Sequence, residues 1–164
     1  MKVVFLDIDG VCNNGPYIQR HYKRCGDLFA IDQKNIMQLN RLTDTIEVGL
    51  VIPSMWRHYD NERPQGIKAT TGKSLRDYLY FNGVRAPVIG ETPDLSVLAA
   101  YGIASACCRG AEIQKWLETH YYVEKFVILD DDDDMDKLLP FLVQTDLKLG
   151  LCEEHVEKAI EMLR

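Results

Sequence analysis

The sequence predicts an α/β fold, a three-layer sandwich in which helices cover both faces of a mostly parallel sheet. Three observations lead there. Apolar runs without alternation recur along the chain, segments of helical period separate them, and loops rich in acids, glycine or polar residues follow them. Unalternated Val, Ile, Leu and Phe runs suit strands buried on both faces, and alternation of strand with helix is the mark of βαβ units.

In chain order, Val3 to Leu6 is the first strand. Asp32 to Leu42 reads as a helix, with Asp32 as N-cap and Ile36, Leu39 and Leu42 on one face. Val48 to Ile52 is the next strand. Ser74 to Phe81 repeats the helical spacing with Leu75, Tyr78 and Leu79 and stops at Asn82-Gly83, a turn signal. Val88-Ile89 is a short strand candidate, Ala111 to His120 a helix bearing Ile113, Trp116 and Leu117, and Phe126 to Leu129 a further buried strand. Leu142-Val143 is the last strand candidate, and Glu153 to Leu163 a closing helix with Val156, Ile160 and Leu163 inward. Two stretches lack a period: about 12–31, read as an irregular insert, and about 57–72, read as a long loop. Ligands of open α/β sheets sit at the C-terminal ends of strands, so both stretches are expected to border a site.

The 164 residues fit a single domain, 1–164, large enough to bury a core without staples. A net charge of −6 argues against a general nucleic-acid-coating surface, though it leaves room for a local basic groove. The five cysteines are an odd set without metal-ligand spacing, as expected of reduced thiols in a cytoplasmic protein. The opening apolar run is too short for a signal peptide or membrane span.

Chemistry concentrates at strand tips. The first strand ends in Asp7 and Asp9, which an extended chain places on one face, and Gly10 lets the chain turn away. Two such carboxylates repel and need a cation or a proton, so the pair reads as a site rather than as core. The strand Phe126 to Leu129 runs into Asp130-Asp131-Asp132-Asp133-Asp134 at the same sheet edge. An aspartate run alone suits a solvated loop equally well. Acids converging from two strand tips instead make an oxygen site for a hard divalent cation, Mg²⁺ foremost. The spacing of an EF-hand is absent. Val48 to Ile52 is followed by Pro53, Ser54, Met55, Trp56 and Arg57; a hydroxyl and a guanidinium there suit an anionic oxygen, while Trp56 reads as packing.

On these residues the chain resembles the haloacid dehalogenase (HAD) superfamily: apolar-Asp7-x-Asp9-Gly10-Val11 matches motif I, Ser54 motif II and apolar-Asp130-Asp131 motif IV. Ser54-x-Trp56-Arg57, Val88-Ile89-Gly90-x-Thr92-Pro93 and Arg109-Gly110-x-Glu112-Ile113-x-x-Trp116-Leu117 are similar to the small HAD domains of RNA-repair and phage proteins, and distantly to the phosphatase half of polynucleotide kinase-phosphatases. The resemblance implies a Rossmann-like sheet without a large cap domain. It implies Asp7 as a nucleophile forming an aspartyl-phosphate and Asp9 as acid and base. It further implies Mg²⁺ held by Asp7, the Ile8 or Asp9 carbonyl, Asp130 and Asp131, with Ser54 holding phosphate and Gly10 and Arg57 beside the substrate. Asp134 would fit an Asp-x-x-x-Asp form of motif IV instead. For the motif III cation Arg109 and Lys115 compete. Arg109 is preferred, since it stands at the start of its helix and Lys115 about 9 Å down the axis.

The expected activity is phosphomonoester hydrolysis. An uncapped site goes, in this superfamily, with macromolecular phosphates, so a polynucleotide 3′-phosphate end leads. His21, Lys23, Arg24, Arg57, His58, Arg63 and Lys68 supply a local basic set, which surface loops also carry without function. The alternatives are a small-molecule or nucleotide phosphatase and a non-catalytic HAD-like binding module.

Overall fold

A computed structural model describes residues 1–25, 30–53, 55–58, 74–95 and 109–164. Strand β1 (Lys2–Leu6) leads into helices α1 (Gly15–Cys25) and α2 (Gln33–Thr45). Then come β2 (Gly49–Ile52), a 3₁₀ turn (Met55–His58), α3 (Leu75–Phe81), β3 (Val88–Glu91) and α4 (Arg109–Leu117). The chain continues through β4 (Lys125–Asp130), a second 3₁₀ segment (Asp136–Phe141), β5 (Leu142–Gln144) and α5 (Glu153–Leu163). The sheet has five strands in the order β3-β2-β1-β4-β5, and each pairing is parallel.

This order follows from burial. The four residues Val3 to Leu6 have no exposed surface, so β1 must lie at the centre with helices on both faces. Val4 and Leu6 join Leu50, Ile52, Val127 and Leu129 in one core layer, closed by Ile36, Leu39 and Leu42 of α2 and by Val156, Ile160 and Leu163 of α5. Val3, Phe5, Val51 and Ile128 form the opposite layer with Ile113 and Trp116 of α4. Phe5 meets Trp116 edge to face at 5.4 Å between ring centroids. The chain therefore winds outward from β1 to β3, then crosses to β4 on the other side of β1. The reversal leaves a crevice between the C-terminal ends of β1 and β4, the place where such sheets bind ligands.

The expected helices and strands all form, with shifted ends. Asp32 caps α2 by accepting from the Lys34 N–H at 2.9 Å, and Ser74 caps α3 by accepting from the Asp77 N–H at 3.2 Å. Helix α4 starts at Arg109 because the loop after β4 caps it: the Asp134 carboxylate accepts from the Arg109 N–H at 3.0 Å and its carbonyl from the Gly110 N–H at 3.1 Å. One reading is corrected. The stretch 12–31, expected to be irregular, contains α1, which Asn14 initiates by accepting from the Tyr17 N–H at 2.9 Å. Of 57–72, Arg57 and His58 belong to the 3₁₀ turn; the rest lies outside the described residues. No described helix is long and apolar enough to cross a membrane.

Gly110 is where the helix and the acidic loop touch most closely: a Cβ there would stand 2.2 Å from the Met135 carbonyl oxygen. Gly110→Ala is expected to lower stability by about 1–3 kcal/mol through overpacking, read as a shift of the denaturant midpoint.

Candidate active site

The β1 ladder continues one step past its last strand residue, because the Asp7 N–H donates to the Leu129 carbonyl at 3.0 Å. Leu6 is paired with Leu129, so Asp7 and Asp130, the last residue of β4, become neighbours across the crevice. Alternation turns both toward the layer that α4 covers. Asp131 follows directly, and oxygens of Asp7, Asp130 and Asp131 lie within 4.8 Å of one another. Asp7 is 5% exposed and Asp130 not at all.

Among the described residues, the Arg109 guanidinium faces these carboxylates. Arg109 Nη1 stands 2.9 Å from Asp130 Oδ2 and 3.4 Å from Asp7 Oδ1. Burial works against the Arg109 charge, but Asp7, Asp130 and Asp134 outweigh it and raise its pKa. Asp130 shows the converse: burial, then the Asp7 charge, pushes its carboxyl up to about 7 despite Arg109 and the Asp132 N–H it accepts from at 3.0 Å. Burial also raises Asp131. Among the described residues, three carboxylates gather beside Arg109. A clustered, oxygen-only donor set fits a hard divalent ion.

Gly10 makes the cluster possible. It lies at φ +70°, and a Cβ would come within 2.5 Å of the Asp131 carboxyl carbon. Its carbonyl accepts from the Thr145 hydroxyl at 2.7 Å, tying the loop after β1 to the chain after β5. What the structure shows at Gly10 is space and a turn.

Asp9 stands apart from the expected pair. The strand ends at Leu6, and the chain turns so that the Ile8 carbonyl accepts from the Cys12 N–H at 2.8 Å and the Val11 N–H at 3.3 Å. The Asp9 carboxylate is exposed and outside the convergent group. Its Oδ1 accepts from Asn13 Nδ2 at 2.7 Å and its Oδ2 from Trp56 Nε1 at 2.8 Å. Cys12, beneath this loop, is buried, and burial with the Asp7 and Asp9 charges pushes its thiol up, so it packs as a neutral group.

The other expected residues divide. Arg57 is corrected: its fork is taken by Glu112, at 2.7 and 2.9 Å, with the Pro53 carbonyl at 2.7 Å and Asp94 at 3.4 Å. That pair is buried and ties the turn after β2 to the first turn of α4. Lys115 pairs with Glu118 at 2.8 Å on an exposed face, away from the cluster. Asp134 caps α4, as described above, and is not in the convergent group. His21, Lys23 and Arg24 fall on α1. Ser54, Arg63 and Lys68, with the side chain of His58, lie outside the described residues. Sequence reasoning missed Asn13, Thr145, Glu112 and the polar role of Trp56. Only Asn13, four residues after Asp9, offered a local signal.

A family model described as the HAD domain in Swiss Army Knife RNA repair proteins matches residues 3–156. No curated protein and no solved structure gives a significant match.

The raised carboxyls set a pH dependence. A folded-state pKa above the ordinary 3.8 means that the folded protein holds more protons than the unfolded chain between about pH 4 and 7. Stability of the metal-free protein is therefore expected to fall as pH rises through that window. Asp130→Asn should flatten the fall, and so should a saturating divalent ion at its upper end. Denaturation midpoints across that range, in chelator for wild type and Asp130→Asn and with excess Mg²⁺ for wild type, check both.

Proposed function

The chain belongs to the family of HAD domains in Swiss Army Knife RNA repair proteins, a family of phosphatase-type hydrolases, and from this we propose a divalent-metal-dependent phosphomonoester hydrolase working through an aspartyl-phosphate. The observation that carries the reading is the convergence of Asp7, Asp130 and Asp131 beside Arg109 at the β1–β4 edge.

Asp7 supplies the nucleophilic oxygen. Its other requirements are met locally: Oδ1 accepts from the Ile8 N–H at 2.8 Å, which fixes the carboxylate plane. Asp7, Asp130, Asp131 and the Asp9 carbonyl would hold Mg²⁺, which supplies the positive charge that lets a carboxylate approach a phosphate dianion. Arg109, beside Asp7 and Asp130, would donate to a phosphoryl oxygen in the transition state. Asp9, on the solvent side, gives its proton to the leaving oxygen and then takes one from the water that opens the aspartyl-phosphate. Ser54 completes the phosphate contacts in this reading.

The substrate we propose is the 3′-phosphate end of a polynucleotide. The family's printed association with RNA repair supports it. So does the absence, among the described residues, of any element larger than α1 between β1 and α2 that would close the site.

Phosphate release from 3′-phosphorylated oligonucleotides should exceed that from nucleotides and sugar phosphates, should require Mg²⁺, and should vanish in Asp7→Asn. Turnover confined to the small compounds would remove the nucleic-acid assignment, and activity that survives in Asp7→Asn would remove the mechanism.

Arg109→Ala is expected to lower kcat/KM by about 10²–10³-fold, as for loss of an oxyanion donor. Lys115→Ala should leave it within about 2-fold, as for an exposed ion pair. Steady-state kinetics with one aryl phosphate compares the two.

A further inference from the structure

We infer that Trp56 and Asn13 are positioning residues for Asp9, fixing the direction from which it delivers its proton. The inference rests on the phosphohydrolase reading and goes beyond it, because neither residue belongs to the acid cluster.

Each oxygen of the Asp9 carboxylate accepts one N–H, from donors of different parts of the chain, Asn13 at 2.7 Å and Trp56 at 2.8 Å. Both donors are themselves immobilised. Asn13 has no exposed surface; its Oδ1 accepts from the Gly10 N–H at 3.0 Å and its Nδ2 also reaches the Ala30 carbonyl at 3.1 Å. Trp56 is 7% exposed, belongs to the core cluster under β1 and β2, and stacks on Tyr78 at 6.2 Å with 21° between ring planes. An exposed aspartate on a loop would otherwise sample several rotamers. Here two fixed donors define both the position and the plane of its carboxylate.

The chemistry of the donors matters as much as their geometry. An amide and an indole are neutral, and each occupies only one of the two lone pairs on its oxygen. The carboxyl can thus carry a proton while the clamp stays closed. A guanidinium in the same place would favour the ionised form and oppose the proton. The chain has one within a residue of Trp56, and it is directed elsewhere: Arg57 is held by Glu112 at 2.7 and 2.9 Å. The 3₁₀ turn thereby presents the indole to Asp9 and withholds the cation.

In the first step the Asp7–phosphorus bond forms as the bond from phosphorus to the leaving oxygen breaks. The bonding pair goes to that oxygen, which takes the Asp9 proton and leaves Asp9 as carboxylate. Misaiming the donor costs most where the leaving oxygen is basic and least where it is stable as an anion.

The test compares p-nitrophenyl phosphate with phenyl phosphate in wild type and Trp56→Phe, using kcat/KM so that only the first step is read. Removal of the indole N–H with the ring retained should lower kcat/KM for phenyl phosphate by ~10–100-fold and for p-nitrophenyl phosphate by less than ~3-fold. A second variant guards against a packing defect: benzothienylalanine at position 56 keeps the bicyclic shape, lacks the donor, and should reproduce the same split. Equal losses on both substrates, or none on either, overturn the inference while leaving the phosphohydrolase reading intact. A wild type that turns over neither substrate overturns both.

Discussion

Repulsion among carboxylates at the shared edge of β1 and β4 is the constraint to which the rest of the site answers. Oxygens within 4.8 Å of one another, at an effective dielectric of about 20, cost roughly 3–4 kcal/mol for each like-charged pair. Among the described residues, the fold opposes this with the Arg109 guanidinium and with geometry that prevents the acids from moving apart. The parallel pairing of Leu6 with Leu129 sets Asp7 against Asp130, and Gly10 admits Asp131 where any side chain would exclude it. The cation is fixed by equally close packing. Asp134 caps α4 through the Arg109 N–H, and Gly110 lets that helix settle on the Met135 carbonyl, so the loop that carries the acids also carries their counter-charge.

A cluster held in this way is a poor device for stability. Its most buried member, Asp130, is driven toward the protonated form first by burial and then by Asp7, so the metal-free protein is disfavoured when its acids ionise. Breaking the arrangement apart by a shift of β4 would relieve that. The shift is blocked because β4 is locked between β1 and β5, with both core layers contributing side chains to it. Strain of this kind persists only where surrounding structure imposes it, and imposed strain of this sort concentrates at functional sites.

What the sequence disclosed follows from which interactions are local. Buried strands announce themselves through uninterrupted Val, Ile and Leu, and the strand-tip acids Asp7 and Asp130 stood out for the same reason: they end such runs. Helix α1 escaped notice because it is polar on average and its apolar residues are few, with Tyr17 and Ile18 only half-buried, so it lacks the aliphatic run that marks the other helices. Its initiating Asn14 was the one local signal. Arg57 misled for a different reason. Its partner Glu112 lies 55 residues away, and no spacing rule reports a buried ion pair between a turn after β2 and the first turn of α4. The same distance hid the bond from Trp56 to Asp9, 47 residues apart, behind a side chain that reads as packing and is indeed packed.

Asp7 and Asp9 are one residue apart and chemically identical, so whatever distinguishes them must come from their surroundings. Asp7 continues the strand, loses nearly all contact with solvent and faces a guanidinium. Asp9 leaves the strand, remains exposed and, among the described residues, accepts from two neutral N–H groups. In the proposed mechanism the group that gains and loses a proton is the one open to water, and the nucleophile is the one sheltered from it. The end of β1 at Leu6, rather than at Asp9, is what separates the two environments. A strand prolonged by three residues would have placed both carboxylates on one dry face, where they would titrate together and divide no labour.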